Sequence, residues 1–264
     1  MLKPPAPPQL YAIRATAAPV AVVFAHRGRW FLVARWDLTS NTVEPGAWFR
    51  GRIFQRRADI SPDGKLLYYF AMKGGHPFHA VSRVPWLTAL ALWHGDTTYG
   101  NGSHFAPARN RAPQWLPHEG SIEPLAKKYR YELVHNDSVA YGAERRRGWR
   151  EHPDAVPRPR SDVYHEKTPN WLVCDQPGGA SRLELRDQGY VSGRIEGRAP
   201  RYTLDGEPLD NVTWADWDQR GRLLVATREA CLEIRSTTNR VTGSRSLADF
   251  VPDPDPPPGH ARSW

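Results

Sequence analysis

The sequence predicts an all-β protein built from many short strands. Its 264 residues include 25 Pro and 21 Gly. Both residue types disfavour helix interiors, because proline lacks a backbone donor and glycine loses more conformational entropy on folding. Short apolar runs follow glycine-containing turns at several places along the chain. The 11 Trp are spread from residue 30 to residue 264, and such side chains most often fill the space between packed sheets.

A glycine-containing turn followed by an apolar run recurs three times. Glycine adopts a positive φ in such a turn, and the run after it is predicted to be a strand buried on both faces. The three copies are Arg27–Arg29 before Trp30–Ala34, Ser61–Lys65 before Leu66–Ala71, and Asp218–Arg222 before Leu223–Thr227. Further strands are predicted at Val20–Ala25, Gly46–Arg52, Tyr131–His135, Trp171–Asp175, Arg182–Arg186, Pro200–Leu204 and Thr213–Trp217.

The segment Val84–His94 fits two patterns. From Leu87 onward, apolar residues recur at helical spacing, and they also alternate as they would in a strand. We favour a strand, because threonine, tryptophan and the preceding proline suit the end of a strand.

Two of the turns resemble a known repeat. The segment Ile60–Tyr68, which reads ISPDGKLLY, resembles the S-P-D-G-K turn of β-propeller repeats in the WD40-like and TolB-like group. The segment Thr213–Leu223 resembles a second, divergent copy, and in that family the turn joins two strands of one blade. The resemblance implies an irregular β-propeller of roughly five antiparallel blades, at ~45 residues per blade. The copies are unevenly spaced, so the number of blades stays open at this point.

Proline sets the expected domain boundaries. Residues 1–9 are predicted to be a flexible Pro-rich N-terminus, and residues 10–250 a single β-propeller-like domain. Residues 251–264 are predicted to be a disordered Pro-rich tail, because the segment has too little apolar content to fold alone. Within the domain, residues 145–170 read as a long loop rich in Pro and Arg.

The charge is unevenly distributed and suggests two kinds of binding surface. The net charge is +8, and residues 1–60 hold nine Lys and Arg against three Asp and Glu. This basic N-terminal third could attract nucleic acid or an acidic partner, or simply reflect an Arg-rich composition. A second cluster is predicted to contact a protein partner. Its Trp149 is expected to be exposed because arginines surround it in sequence. Trp264 is also expected to be exposed. The cluster consists of Arg145, Arg146, Arg147, Trp149 and Arg150.

A histidine-rich stretch, residues 73–105, holds the candidate catalytic and metal-binding residues. His94, Asp96 and His104 could act as general acid and base. His76 and His79 could bind a divalent metal, the one cofactor that the sequence suggests. Alternatively, these histidines cap strands and line loops.

Several functional classes lack their motifs. The sequence contains no G-x-S-x-G, no P-loop and no G-x-G-x-x-G. It has no C-x-x-C, and Cys174 and Cys231 lie in apolar runs that predict buried free thiols. No apolar run reaches the ~18 residues of a membrane span, and no signal-peptide core precedes the domain, so we expect a cytoplasmic protein without a membrane partner.

Three functions therefore follow from the sequence, in order of preference. The first is a protein-interaction or scaffold module that binds partners through the loops on the propeller faces. The second is a propeller enzyme, a hydrolase or lyase that uses the histidines and aspartate, with or without a metal. The third is nucleic-acid binding through the basic N-terminal third. Whether the protein is an enzyme stays open, because fold alone does not decide function.

Overall fold

The computed structural model describes residues 6–98, 102–109, 116–135, 141–157, 169–187 and 200–264. Within these ranges the chain forms five antiparallel sheets and only short helices. The predicted all-β class is therefore confirmed.

The first sheet is a four-stranded meander in chain order. It consists of β1 (Gln9–Arg14), β2 (Val20–Arg27), β3 (Trp30–Asp37) and β4 (Thr42–Arg50). The run Val20–Ala25 is buried on both faces, as its unbroken apolar sequence predicts. The hairpin between β2 and β3 pairs Arg27 with Trp30.

The second sheet is centred on the S-P-D-G-K turn. It contains β5 (Arg52–Ile53), β6 (Asp59–Ile60), β7 (Leu66–Lys73), β8 (His76–Arg83), β9 (Ala91–His94) and β11 (Glu119–Gly120). The Ser61 hydroxyl donates to Asp63 Oδ1 over 2.6 Å and accepts the Leu66 amide over 2.9 Å. Gly64, like Gly28 and Gly221 in the other two copies of the turn, has the positive φ that the pattern predicts.

Three smaller units complete the fold. The third sheet pairs β10 (Ser103–Pro107) with β12 (Tyr131–His135), next to helix α1 (Glu123–Lys127). The fourth follows helix α2 (Gly142–Arg145) and contains β13 (Arg150–Glu151), β14 (Trp171–Asp175), β15 (Arg182–Arg186), β16 (Arg201–Leu204) and β17 (Glu207–Pro208). The fifth contains β18 (Val212–Trp217), β19 (Leu223–Thr227), β20 (Cys231–Arg235) and β21 (Val241–Ser246). Short 3-10 helices span Gln55–Arg57 and Gly259–Arg262.

Alternating side chains stack the sheets face to face. In β19, Leu224 packs in a core shared by the first, second and fifth sheets, whereas Val225 packs in a core shared with the fourth. In β7, Tyr69 belongs to the core shared with the first sheet, whereas Tyr68 belongs to the core shared with the third. Because successive strand residues point to opposite faces, the sheets follow one another in the spatial order third, second, first, fifth, fourth. The five described sheets therefore form a propeller-like stack.

The first and last sheets of the chain are direct neighbours. The Thr213 hydroxyl in β18 donates to the Leu10 carbonyl in β1 over 3.4 Å. Trp214 joins the same core as Leu10 and Tyr11. The N-terminal sheet is thus held between its neighbour in sequence and the sheet at the far end of the domain.

The segment Val84–His94 differs from its predicted strand. Only Ala91–His94 is a strand, and the residues before it form a turn and irregular chain. The Trp86 amide donates to the Arg83 carbonyl, which turns the chain, and Pro85 has no amide to offer to a neighbouring strand.

The C-terminal segment, residues 250–264, is packed against the sheets rather than disordered; we call it the strap. The Phe250 ring stacks on Trp48 with centroids 5.0 Å apart. Arg83 Nε donates to the Ser263 carbonyl over 2.7 Å, and Trp264 packs in the core beside the third sheet. The prediction of a disordered tail with an exposed Trp264 is therefore wrong, because the contacts that order it come from residues far away in sequence.

The other predicted boundaries, near residue 10 and at 145–170, stay predictions. The strand β1 begins at Gln9, and Pro8 is buried. Residues 1–5 and residues 158–168 of the predicted long loop lie outside the described residues. The start of that loop contains the end of α2 and strand β13, so it is more ordered than predicted.

Both cysteines are free thiols. Cys174 is buried, which raises the pKa of its thiol to about 12, and Cys231 is half-buried.

In the described part of the chain, no helix has the length and apolar content needed to cross a bilayer.

Candidate functional site

The predicted partner-binding arginines are engaged with other groups of the chain. Arg145 Nη2 lies 2.8 Å from Glu151 Oε1, and Arg150 pairs with Asp175. Asp175 also accepts from Arg182 Nε over 3.0 Å. This part of the surface is therefore a set of ion pairs that largely cancel their own charge.

Two members of that predicted cluster are buried. Arg147 is 8% exposed and Trp149 is 3% exposed. The expectation of an exposed Trp149 is wrong, because its indole donates to Asp216 Oδ1 over 3.0 Å in the interior. Arg146 is held near Asp59, with its side chain one-quarter exposed. The Arg145 side chain is likewise about one-quarter exposed, and Arg150 is the exposed member of the cluster. The role of these residues in partner binding stays a prediction.

Arg147 and Trp149 belong to a buried group of charged and aromatic side chains where the sheets meet, which we call the central polar cluster. Its members are Tyr11, Arg14, Arg56, Asp59, Tyr141, Glu144, Arg147, Trp149, Asp187 and Asp216.

Arg14 and Arg147 link four sheets within the central polar cluster. Arg14 Nε lies 2.9 Å from Asp216 Oδ2, and its Nη2 donates to the Arg147 carbonyl over 3.0 Å. Arg147 Nε donates back to the Arg14 carbonyl over 2.6 Å, and its Nη2 donates to Asp59 Oδ1 over 2.8 Å. Asp59 Oδ2 accepts the amide of Phe105 in β10 over 3.0 Å. Each charge is thus paired and hydrogen-bonded, as burial requires.

Glu144 in α2 organises the other half of the central polar cluster. Its Oε1 accepts from the Tyr11 hydroxyl over 3.1 Å and lies 3.5 Å from Arg56 Nη1. The Arg56 guanidinium lies over the Tyr11 ring at 5.0 Å and over the Tyr141 ring at 5.1 Å. Burial raises the pKa of both tyrosines, so their hydroxyls stay protonated donors. The cluster therefore joins sheets and has no exposed face on which to perform chemistry.

His79, one of the predicted metal ligands, is built into the boundary between the second and third sheets. Its Nδ1 lies 2.6 Å from the Tyr68 hydroxyl, and its ring stacks on Phe70 with centroids 4.3 Å apart. Burial, with smaller effects of His135 and Arg57, lowers the pKa of His79 to about 4. The imidazole is therefore neutral at neutral pH.

The other predicted histidines point elsewhere. In the register of β8 and β9, His79 lies opposite Trp93, and His94 lies opposite Phe78, so His79 and His94 face opposite sides of the sheet. His76 is exposed at the turn between β7 and β8. Asp96 is exposed after β9, and His104 is half-buried in β10.

The predicted metal site is not assembled in the described part of the chain. There, no three His, Cys, Asp or Glu side chains are grouped so that they could hold a metal ion. His94 instead approaches Glu119 over 3.7 Å and donates its backbone amide to His118 Nδ1 over 3.2 Å. The catalytic and metal roles of these residues stay predictions.

Arg29 and Arg50, from the predicted basic N-terminal third, lie with Lys73 at one end of the first two sheets. We call Arg29, Arg50 and Lys73 the basic edge. Arg29 is in the turn between β2 and β3, Arg50 ends β4, and Lys73 ends β7. The Gly51 amide donates to the Arg29 carbonyl over 3.1 Å, and a Cβ at Gly51 would lie 2.7 Å from the Met72 carbonyl oxygen. The three turns therefore adjoin.

All three side chains of the basic edge are exposed. Among the described residues, none of them forms an ion pair with a carboxylate. The sequence carries a signal for this feature: each of Arg29, Arg50 and Lys73 stands directly beside a glycine, so the turns between strands repeat one composition. Only the strand register shows that these turns meet.

Comparison with known proteins adds little to this description. No protein-family model and no curated protein matches the chain. Among solved structures, the beta-propeller domain of Cps50 (Swd1) from Myceliophteria thermophila is 15% identical, with a TM-score of 0.18. The match covers 92% of this chain and 60% of that one. The fold assignment rests on the order and packing of the sheets.

Proposed function

We propose that the chain is a protein-interaction module, a propeller-like scaffold that binds partners through the turns at the ends of its sheets. The observation that supports this proposal most is the division of its charges. The central polar cluster uses its ionisable groups to join the sheets, whereas the basic edge leaves three cations exposed at turns.

This division suits a rigid body that displays loops. Antiparallel sheets packed face to face hold their hairpin turns in fixed relative positions, and binding residues are commonly found on such loops. Preorganised turns lower the entropy cost of binding a partner. A module of this kind needs no reactive group, which agrees with the engagement of His79 and Glu144 in internal contacts.

Site-specific photo-crosslinking tests the proposal. A photoreactive amino acid is placed at exposed turn positions (Arg29, Lys73 and Arg228) and, as a matched control, at exposed edge-strand positions (Thr42, Glu44 and Val241). Any protein captured is purified and recombined with the chain alone.

We expect the purified partner to cross-link from at least one turn position and from no edge-strand position. A partner that cross-links only from the edge strands would overturn binding through turns. Failure of every captured protein to re-bind in purified form would overturn the interaction function itself.

A further inference from the structure

We infer that the basic edge binds an acidic, extended peptide segment of a partner protein. This inference rests on the proposed interaction function and names the chemistry of the partner. The groups that carry it are the exposed cations of Arg29, Arg50 and Lys73.

The three cations lie on turns that are next to one another. The strand register places Arg50 opposite Trp30, next to Arg29, and places Met72, next to Lys73, opposite Arg52. Neighbouring strands lie ~4.8 Å apart, so the three turns span roughly 10–15 Å. An extended peptide rises ~3.3 Å per residue, and a run of about four acidic residues would match that length.

The basic edge carries positive charge that no described carboxylate neutralises by an ion pair. Some exposed arginines of the chain pair with a carboxylate, as Arg150 and Arg182 both do with Asp175. The cations of the basic edge have no such partner among the described residues. Arginine presents a planar fork that matches a carboxylate in a bidentate way, so an acidic side chain is a fitting ligand.

The turns that carry Arg29 and Lys73 are sterically accessible. Neither Gly28 nor Gly75 has a neighbouring atom within 4 Å of where a Cβ would stand. The turn tips beside Arg29 and Lys73 therefore have open space around their backbone. A peptide main chain could approach both tips without displacing a side chain.

No Phe, Tyr or Trp side chain among the described residues is fully exposed, and Trp30 beside Arg29 is half-buried. Base stacking requires exposed aromatic rings. The exposed large apolar side chains of the described residues are Leu116, Val156, Val241 and Val251, none of which is aromatic. This favours a peptide over a nucleic acid as the occupant.

An acidic part of the chain itself lies nearby without filling the edge. Arg27 donates to the Phe250 carbonyl and lies over its ring at 4.8 Å, which brings the strap alongside. In the described part of the chain, the carboxylates of Asp249, Asp253 and Asp255 form no ion pair with the basic edge. The edge is thus open to a partner in trans.

Fluorescence anisotropy on the full chain tests the inference. The probes are a labelled ten-residue peptide of alternating Glu and Ser, its Gln and Ser counterpart, and a labelled single-stranded DNA of equal charge. The edge variant carries Arg29→Glu, Arg50→Glu and Lys73→Glu. The control variant carries Arg201→Glu, Arg240→Glu and Arg245→Glu, which are exposed on the fourth and fifth sheets and change the net charge equally.

We expect the acidic peptide to bind the unaltered chain and the Gln peptide not to bind. The edge variant should bind the acidic peptide ~10-fold or more weakly, with the control variant within ~2-fold of the unaltered chain. Thermal unfolding of both variants checks that they are folded.

Equal weakening by both variants would overturn the inference, since the effect would then be one of net charge. Tighter binding of the DNA than of the peptide would also overturn it in favour of a nucleic-acid surface. If the peptide fails to bind while turn cross-links to a purified partner persist, this inference fails and the interaction function stands.

Discussion

Arg14 and Asp216, 202 residues apart in sequence, form a buried ion pair with Nε and Oδ2 separated by 2.9 Å. Arg14 ends the first strand of the first sheet, and Asp216 lies in the first strand of the last sheet. Burial raises the pKa of Asp216, and the charge of Arg14 is the main opposing effect. The pair therefore connects the two ends of the domain at the point where a lone charge would be most costly.

Removing one member of this pair should strongly destabilise the protein. Asp216→Ala leaves the guanidinium of Arg14 buried without its carboxylate, and we expect a loss of about 3–5 kcal/mol in the free energy of unfolding. Denaturant unfolding measures the loss. Arg35→Ala, which breaks the more exposed pair with Asp37, is the matched control and should cost less than ~1 kcal/mol. Similar losses in the two variants would contradict the prediction.

His79 should make stability depend on pH in a defined window. The pKa of folded His79 is lowered to about 4, from an ordinary value of 6.5, chiefly by burial. Between these values the unfolded chain binds more protons than the folded chain, so stability falls as the pH falls. We expect a loss of roughly 2 kcal/mol between pH 7 and pH 5 from this group. His26, whose pKa burial also lowers, adds a loss of the same sign.

Denaturant unfolding at the two pH values tests this effect of His79. In His79→Gln the pH-dependent part of the loss should shrink, even though the variant is less stable overall. The control is His76→Gln, which changes the exposed first residue of the same strand. This variant should retain the full dependence of stability on pH. An unchanged slope in His79→Gln would show that other groups cause it.

An alanine at Gly102 should reduce the free energy of unfolding more than an alanine at Gly28. Both have positive φ, which costs a non-glycine residue ~1–2 kcal/mol. A Cβ at Gly102 would also collide with the carbonyl oxygen of Arg57, whereas a Cβ at Gly28 meets nothing within 4 Å. We expect Gly102→Ala to lose ~1–3 kcal/mol more than Gly28→Ala in thermal or denaturant unfolding. Equal losses would show that the backbone beside Arg57 gives way freely.

The strap should be released by loss of its aromatic anchor. The Trp264 ring lies 6.0 Å from Tyr129, and the Trp264 carbonyl accepts from Lys128 Nζ over 2.8 Å. Trp264→Ala removes the ring contact, so we expect trypsin to cleave faster after Arg262. Mass spectrometry measures the rate of this cleavage. Leu116→Ala, at an exposed position, serves as the control and should leave the rate unchanged. A rate unaffected by Trp264→Ala would show that the main-chain contacts alone hold the strap.

Local patterns were enough to predict much of the fold. The strands Tyr131–His135, Trp171–Asp175 and Arg182–Arg186 have the predicted bounds, because each is an alternating or apolar run between turn residues. The positive φ of Gly64 follows from its turn in the same way. Such features depend on neighbours within a few residues, and the sequence displays those directly.

The candidate site was less predictable, because its contacts join distant parts of the chain. Arg147 looks like a member of a solvated basic run, but its partner Asp59 is 88 residues away. Trp149 pairs with Asp216 across 67 residues, so its burial could not be read from its arginine neighbours. The sequence predicted a basic N-terminal third but not that Arg29 and Arg50 meet Lys73, because only sheet packing brings their turns together.

The packing of the first sheet against the last also affects how the protein folds during synthesis. While the ribosome is still adding residues before 212, the surface of β1 that will meet Trp214 and Thr213 has nothing to cover it. During that time Arg14 also lacks its ion-pair partner Asp216. Contacts of such long sequence separation slow folding and leave apolar surface open to aggregation. Synthesis in the presence of a chaperone that shields the nascent chain should therefore raise the yield of native protein.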